Sequence, residues 1–277
     1  MNRLTEWMNR RGRVLVMGIL NVTPDSFHDG GRFEGPTEAV EAALRMEAAG
    51  ADIIDIGGES TRPGSDVVSA EEEAARVLPV IRTLRERSDV LISVDTAKAV
   101  VAEAALAAGA VLVNDVSALR SDVRMAEVVA EANGFVALMH MQGSPKTMQE
   151  NPTYDDVVED VRTFLAERID AAIDAGISSE RILIDPGIGF GKHLSHNLEL
   201  LRRLDRLVEL GPPVLVGLSR KSFLGRLLDL PSTDRLEGTI AANAVAIAHG
   251  AEVIRVHDVA EGRRTADVAV RLRRHGH

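Results

Sequence analysis

Short apolar runs rich in β-branched residues recur along the whole chain, and each is followed by a polar turn and a longer Ala-, Glu-, Leu- or Arg-rich stretch of helical period. The runs are 14–20, 52–56, 90–94, 110–113, 135–139, 182–184, 214–217 and 253–256. They show little in-and-out alternation, the pattern of strands covered on both faces in a parallel sheet, and the intervening helices supply the crossovers that parallel strands need. Eight such units predict a closed (β/α)8 barrel. Four helices are expected to end on a glycine just before the next strand, at Gly50, Gly109, Gly176 and Gly250, where a left-handed residue closes the helix. No linker, repeat or low-complexity stretch interrupts the alternation, so residues 1–277 read as one domain.

Composition narrows the function classes. With 277 residues, 45% apolar and 27% charged, the chain has the length and content of one α/β barrel. A net charge of −10, from 32 Lys and Arg against 42 Asp and Glu, argues against nucleic acid or an anionic membrane as partner. The basic clusters Arg202-Arg203 and Arg271-Arg273-Arg274 lack interleaved aromatics and read as solvated helix faces. Without cysteine there is no disulfide, thiolate metal site or cysteine nucleophile. Residues 1–13 lack the apolar core of a secretion signal, and no run reaches the length of a membrane span. The expected location is therefore the cytoplasm.

In a barrel of this kind the active site lies at the C-terminal ends of the strands. Asn21 follows the first run, and Asp55 sits within the second. Asp95 ends the third, Asn114-Asp115 the fourth and His140 the fifth; Asp185, Ser219-Arg220-Lys221-Ser222 and Arg255-Val256-His257-Asp258 follow on the last three. Each has a plain structural alternative. Asp95 suits a helix N-cap, Asp185-Pro186-Gly187 a turn, His140 a hydrogen-bonded rim position and Asp55 a buried structural role. Convergence of polar groups on one rim favours a site, as do two long Gly- and Ser-rich loops after the first two runs.

The set has a sign pattern. Arg62, Lys221, Arg255 and His257 suit a phosphate-type leaving group, whereas Asp95, Asn114 and Asp185 are acceptors for a donor-rich, amidine-like edge. The implied ligand is a polar heterocycle with an anionic tail, bound where acids grip the base and cations opposite them hold the tail. Gathering of Asp185, Lys221 and Arg255 around one cavity is the test. Neither a dinucleotide GxGxxG in context nor a P-loop is present, and no HExxH or His/Cys cluster indicates tight zinc. Mg²⁺ carried on a diphosphate needs only one or two protein oxygens and is compatible.

At these residues the chain resembles the dihydropteroate synthases of the folate pathway. The matching segments are Met17–Phe27, Gly57–Gly64, Ser93–Thr96, Asn114-Asp115, Met139–Gly143, Asp185–Lys192, Ser219–Ser222 and Arg255–Val259, in the family's order. His28 departs from the small polar residue of many relatives. The resemblance implies condensation of 6-hydroxymethyl-7,8-dihydropterin diphosphate with p-aminobenzoate, by a dissociative path in which C–O cleavage precedes attack by the aniline nitrogen. It implies a pterin site of Asp95, Asn114, Met139, Asp185 and Lys221, with Asp95, Lys221 and Arg255 catalytic. Asn21, Arg255 and His257 are implied for the diphosphate, with Asn21 on Mg²⁺. Phe27, Thr61, Arg62, Pro63, Phe190, Lys221 and Ser222 are implied for p-aminobenzoate, and sulfonamides, which imitate its shape and charge, as inhibitors. Rival readings are a pterin barrel of a corrinoid-dependent methyltransferase, which needs no diphosphate clamp, a Schiff-base aldolase using Lys221, and a catalytically silent homologue. The resemblance implies a homodimer, for which the outward faces of the Ala- and Val-rich stretches 236–249 and 259–272 are candidates; packing on the barrel requires similar apolar stripes, and composition does not choose between the two.

Overall fold

The structure is a computed structural model that describes residues 4, 6–7, 13–23, 36–60, 68–143, 147–231 and 233–273. Its strands are β1 (Leu15–Asn21), β2 (Ile53–Gly57), β3 (Leu91–Asp95), β4 (Leu112–Asp115), β5 (Phe135–Met139), β6 (Ile182–Asp185), β7 (Leu215–Gly217) and β8 (Val253–Val256). They form one parallel sheet in the order β6-β5-β4-β3-β2-β1-β8-β7. The ends meet through a parallel bridge from Ile184 to Val214 and a bond from the Ile184 N–H to the Pro213 carbonyl of 3.0 Å. The expected barrel is therefore present, with its narrowest seam between β6 and β7.

Around it, among the described residues, run α1 (Pro36–Ala48), α2 (Ala70–Arg87), α3 (Ala99–Ala107), α4 (Met125–Glu131), α5 (Val157–Asp174), α6 (Leu194–Arg202), α7 (Asp205–Val208), α8 (Ser222–Leu228), α9 (Leu236–Ala248) and α10 (Val259–Leu272). Among the described residues no helix is long and apolar enough to cross a membrane. Gly50, Gly109, Gly176 and Gly250 close α1, α3, α5 and α9 with φ of +102°, +113°, +95° and +108°, as the sequence predicts. Arg202 and Arg203 are the ion-paired helix surface that was expected, contacting Glu199 and, for Arg203, also Asp156 and Glu159.

The inward faces explain how the site is placed. Inside the barrel Leu15, Met17, Ile53, Leu91, Leu112, Phe135, Ala137, Leu183, Leu215 and Val253 form a cluster of their own. Leu4 and the half-buried Trp7 join it, so the N-terminal segment, read from sequence only as polar, packs apolar side chains against the barrel's lower interior. Side chains two residues further along each strand face the same way. Ile53 is thus followed inside by Asp55 and Gly57, Leu91 by Ser93 and Asp95, Leu112 by Asn114, Leu183 by Asp185, Leu215 by Gly217 and Val253 by Arg255. The barrel interior changes from apolar to polar within one step along nearly every strand.

Several ladders run one or two residues past the apolar runs, so Asn21, Gly57, Asp95, Asn114, Asp115 and Asp185 belong to strands. Apolar patterning reports which side chains are buried, while the ladder needs only backbone partners. The pairing thus holds these polar side chains on rigid β structure.

Because Phe135 is almost wholly buried in the interior cluster, Phe135→Ala should lower stability by about 3–5 kcal/mol. Urea unfolding checks this: the midpoint should fall with an unchanged slope.

Candidate active site

The upper interior is organised around one arginine. Arg255, facing inward from β8, donates from Nε to Asp55 Oδ2 at 2.6 Å and from Nη2 to Asp95 Oδ2 at 2.8 Å. The same Asp55 oxygen accepts from Asn114 Nδ2 at 3.0 Å, which fixes the side-chain amide of Asn114. Asp55 is fully buried and Asp95 nearly so. Burial works against the guanidinium charge, but the two carboxylates overcome it and hold Arg255 above its ordinary pKa. Asp95 is pushed up to about 7, first by burial and then by Asp55, Glu73 and Asp115, with Arg255 opposing. The adjoining guanidinium is what keeps its pKa from rising further.

The register sets Asn21, Gly57, Asp95 and Asn114 side by side across β1 to β4. Gly57 makes the approach possible. A Cβ there would stand 3.4 Å from Asp95 Cβ and 3.8 Å from Asn21 Oδ1, so the glycine leaves space between the Asn21 amide oxygen and the Asp95 carboxylate.

A second charged group faces this one. Asp185, on β6, accepts from the Gly187 N–H at 2.7 Å. Burial raises its pKa, while Lys221, the Gly187 N–H, Lys192 and Arg255 oppose the shift. Burial lowers Lys221 to about 8 against the pull of Asp185, with Arg255 adding to the fall. The Lys221 ammonium donates to the Ile188 carbonyl and lies 4.6 Å from the centre of the Phe190 ring. Gly217 separates the two cations: a Cβ there would lie 3.8 Å from Arg255 Cβ and 3.9 Å from Lys221 Nζ. Lys221 follows Arg220, whose φ of +57° is a strained conformation for a side chain of this size. Asp258 holds that guanidinium through bonds of 3.0 and 2.5 Å, and Thr239 and Arg235 bond its backbone.

Asp185, Lys221 and Arg255 thus lie close enough to act on one another at the C-terminal end of the barrel, with Asp95, Asn114 and Asn21 on neighbouring strands. Met139 pairs with Asp185 in the β5–β6 register and packs with Met141, Met148 and Phe190. His257, just beyond β8, interacts through Nδ1 with Ser219 Oγ at 3.0 Å, and Ser222 is the exposed first residue of α8. Phe27, His28, Thr61, Arg62 and Pro63 lie outside the described residues. The flanks of 61–67 are described: Glu59 accepts from the Val68 N–H at 3.0 Å, and Lys98 bridges Glu59 and the buried Glu73.

Two expectations need correction. The acids and bases are interleaved instead of facing each other, because an arginine buried beside carboxylates is stable only in contact with them. Asp95 is also no helix cap; α3 is capped at Lys98, and the first N–H of that helix bonds to Asp122. Asp185 does make the predicted turn, while facing Lys221 as well. Asp55 combines both readings made of it: it is buried structure, and it aims Arg255 and Asn114. Its inward place two residues below Gly57 was the available signal. Lys192, adjoining the same site, is given no role by the sequence reading although it closes the matching segment Asp185–Lys192.

A family model described as pterin binding enzyme matches residues 17–257. The chain belongs to the pterin-binding enzymes. The dihydropteroate synthase of Escherichia coli strain K12 is 51% identical over 246 residues, 89% of this chain and 87% of that protein. The structure superposes on the dihydropteroate synthase of Yersinia pestis solved with a sulfonamide drug, with TM-score 0.90, 48% identity and 94% of each chain covered. It also matches the enzyme of Xanthomonas albilineans solved with 4-aminobenzoic acid, with TM-score 0.88, 48% identity and 95% and 94% covered. Within the pterin-binding enzymes, the chain therefore falls among the dihydropteroate synthases.

The Asp55–Arg255–Asp95 arrangement predicts a shift of definite sign. Asp55→Asn removes a like charge beside Asp95 and frees Arg255 to pair with it, so Asp95 should titrate lower than in the parent protein. Carboxyl ¹³C NMR titration reads this directly; an unchanged or higher midpoint would show that the two carboxylates are not coupled.

Proposed function

We propose that the protein condenses 6-hydroxymethyl-7,8-dihydropterin diphosphate with p-aminobenzoate to give 7,8-dihydropteroate and diphosphate. The observation that carries this reading is the placement of Asp95, Asn114 and Asp185 as inward acceptors beside Lys221 and Arg255, on a chain that belongs to this enzyme family. The paired N–H groups of a pterin edge require such acceptors. Met139 offers an apolar surface for the ring, and Lys221 a donor for its carbonyl.

Asn21, Arg255 and His257 hold the diphosphate. Asn21 fits Mg²⁺ in one respect that the structure supplies: its amide oxygen borders the space opened by Gly57, beside Asp95. Among the described residues no His, Asp and Glu cluster builds a complete metal cage, which suits an ion carried by the substrate and held by few protein oxygens. Bound there, Mg²⁺ supplies positive charge against the phosphate oxygens.

The path is dissociative. As the C–O bond lengthens, the reduced pterin ring takes up positive charge by donation from its nitrogens. In this reading Asp95 stabilises that cation and Arg255 the departing anion. The aniline nitrogen then attacks the exocyclic carbon and loses its proton. Thr61, Arg62, Pro63, Phe190, Lys221 and Ser222 orient p-aminobenzoate for that attack, with Phe27 covering it, and sulfonamides compete for the same place. No step uses a protein nucleophile, so Lys221 acts as a donor.

The cytoplasm is the location that suits this metabolite chemistry and a cysteine-free chain. The working form is a homodimer through α9 and α10, where Val245, Val268 and Leu272 are exposed at 49%, 57% and 76%.

Purified protein supplied with both substrates and Mg²⁺ should release dihydropteroate and diphosphate in equal amounts; no turnover refutes the assignment. In the same preparation Arg255→Ala should weaken binding of the pterin diphosphate far more than that of the pterin alcohol. Calorimetry with the two ligands decides this, and equal losses would remove Arg255 from the diphosphate site.

A further inference from the structure

Lys192 follows the β6 turn and is 2% exposed, yet among the described residues it has no salt-bridge partner. Its ammonium is spent on neutral acceptors. Nζ lies 3.0 Å from the Gly187 carbonyl, 2.9 Å from the Phe190 carbonyl and 2.9 Å from His140 Nδ1, with the His140 carbonyl at 3.4 Å. An ammonium carries three protons, one for each of the three short contacts. Where the lysine donates to Nδ1, the imidazole proton sits on Nε2. Burial, Lys192 and Arg120 together depress the His140 pKa to about 2, so the ring stays neutral and can accept.

Burial pushes the Lys192 amine well below its ordinary pKa, with Asp185 opposing that fall and Lys221 adding to it; such a burial is expensive, and the carbonyls the amine gathers show what it does there. They are the two ends of the 187–190 turn, whose own backbone bond runs from the Phe190 N–H to the Gly187 carbonyl at 3.0 Å. The turn uses left-handed Gly187 and Gly189, with φ of +63° and +86°, and at Gly187 an added Cβ would collide with the His140 carbonyl. Between the ends lies the Ile188 carbonyl that receives the Lys221 ammonium, and at the far end is Phe190, whose ring lies under that ammonium.

We infer that Lys192 is a positioning residue: from beneath the site its buried ammonium ties the 187–190 turn to β5, and thereby fixes Phe190 and Lys221 where the two substrates meet. This goes beyond the proposed function and rests on it for the roles of Phe190 and Lys221. Asp95 and Asn114 stand on strands that Lys192 does not touch, and Asp185 keeps Lys221, the Gly187 N–H and Arg255 beside it when Lys192 is lost. Its loss should therefore fall mainly on p-aminobenzoate.

The test uses the full-length protein as Lys192→Met and Lys192→Gln, the second keeping an N–H donor at similar reach without the charge. Steady-state kinetics of Lys192→Met should show the KM for p-aminobenzoate raised about tenfold or more, within the roughly hundredfold that a 1 Å misplacement costs, and binding of the pterin alcohol weakened by much less. A merely structural role would reduce the amount of active enzyme and leave that KM in place, which would overturn the inference. If the Met variant does not fold, Lys192→Gln carries the test, with a smaller rise in the same KM expected and no rise contradicting it. A crystal structure of the folded variant decides independently of substrate: Phe190 and Lys221 should part from their 4.6 Å stacking, and an unmoved pair sinks the proposal. Phe190→Ala separates the two readings. If its KM for p-aminobenzoate is normal, the proposed role of Phe190 fails while the variant's crystal structure still decides on Lys192.

Discussion

An arginine wedged between two buried carboxylates governs the upper half of this barrel. Removing the arginine would leave two buried carboxylates without their cation, and breaking such a pair costs about 3–5 kcal/mol. Neighbouring features follow from that demand. Asp55 is needed below the rim to hold Nε, and it uses the same oxygen to turn the Asn114 amide. Asp95 is left able to change protonation state near neutrality, a condition suited to a group that must meet a cation only as it forms. A bare carboxylate at that depth would protonate, and a fully neutralised one would offer a developing cation little.

Rigid strands provide the geometry, and glycines provide the room. Gly57 opens the gap between Asn21 and Asp95, and Gly217 the gap between Arg255 and Lys221. Strand registry alone would have packed those gaps with side chains. Loops contribute differently. The Lys221 segment depends on a strained Arg220 held by Asp258, Thr239 and Arg235, and the Phe190 turn on Lys192. The first depends on side chains 15 to 38 residues further along the chain, the second on a neighbouring lysine that reaches back to His140, so substitutions outside any ligand contact can reach the reaction through them.

Much of this was legible in the amino-acid pattern. Strand count, the four glycine helix ends and the rim position of Asp95, Asn114, Asp185, Lys221 and Arg255 follow from periodicity and turn chemistry, because each is a local consequence of backbone geometry. What was hidden is pairwise and long-range. Nothing near Arg255 in sequence indicates that it contacts Asp55 and Asp95, 200 and 160 residues away, so acids and bases were expected on opposite sides. Lys192 illustrates the same limit: it closes the family-matching segment Asp185–Lys192, but only the fold shows its nitrogen reaching back to His140. Strand ends moved for a different reason, since side-chain polarity does not terminate a backbone ladder.

The most direct measurement is a crystal structure of the protein with the pterin diphosphate and Mg²⁺. The pterin's nitrogen edge should lie against Asp95, Asn114 and Asp185, with the phosphates beside Arg255 and His257 and the metal touching the Asn21 oxygen. A ring bound elsewhere, or phosphates remote from Arg255, would contradict the account.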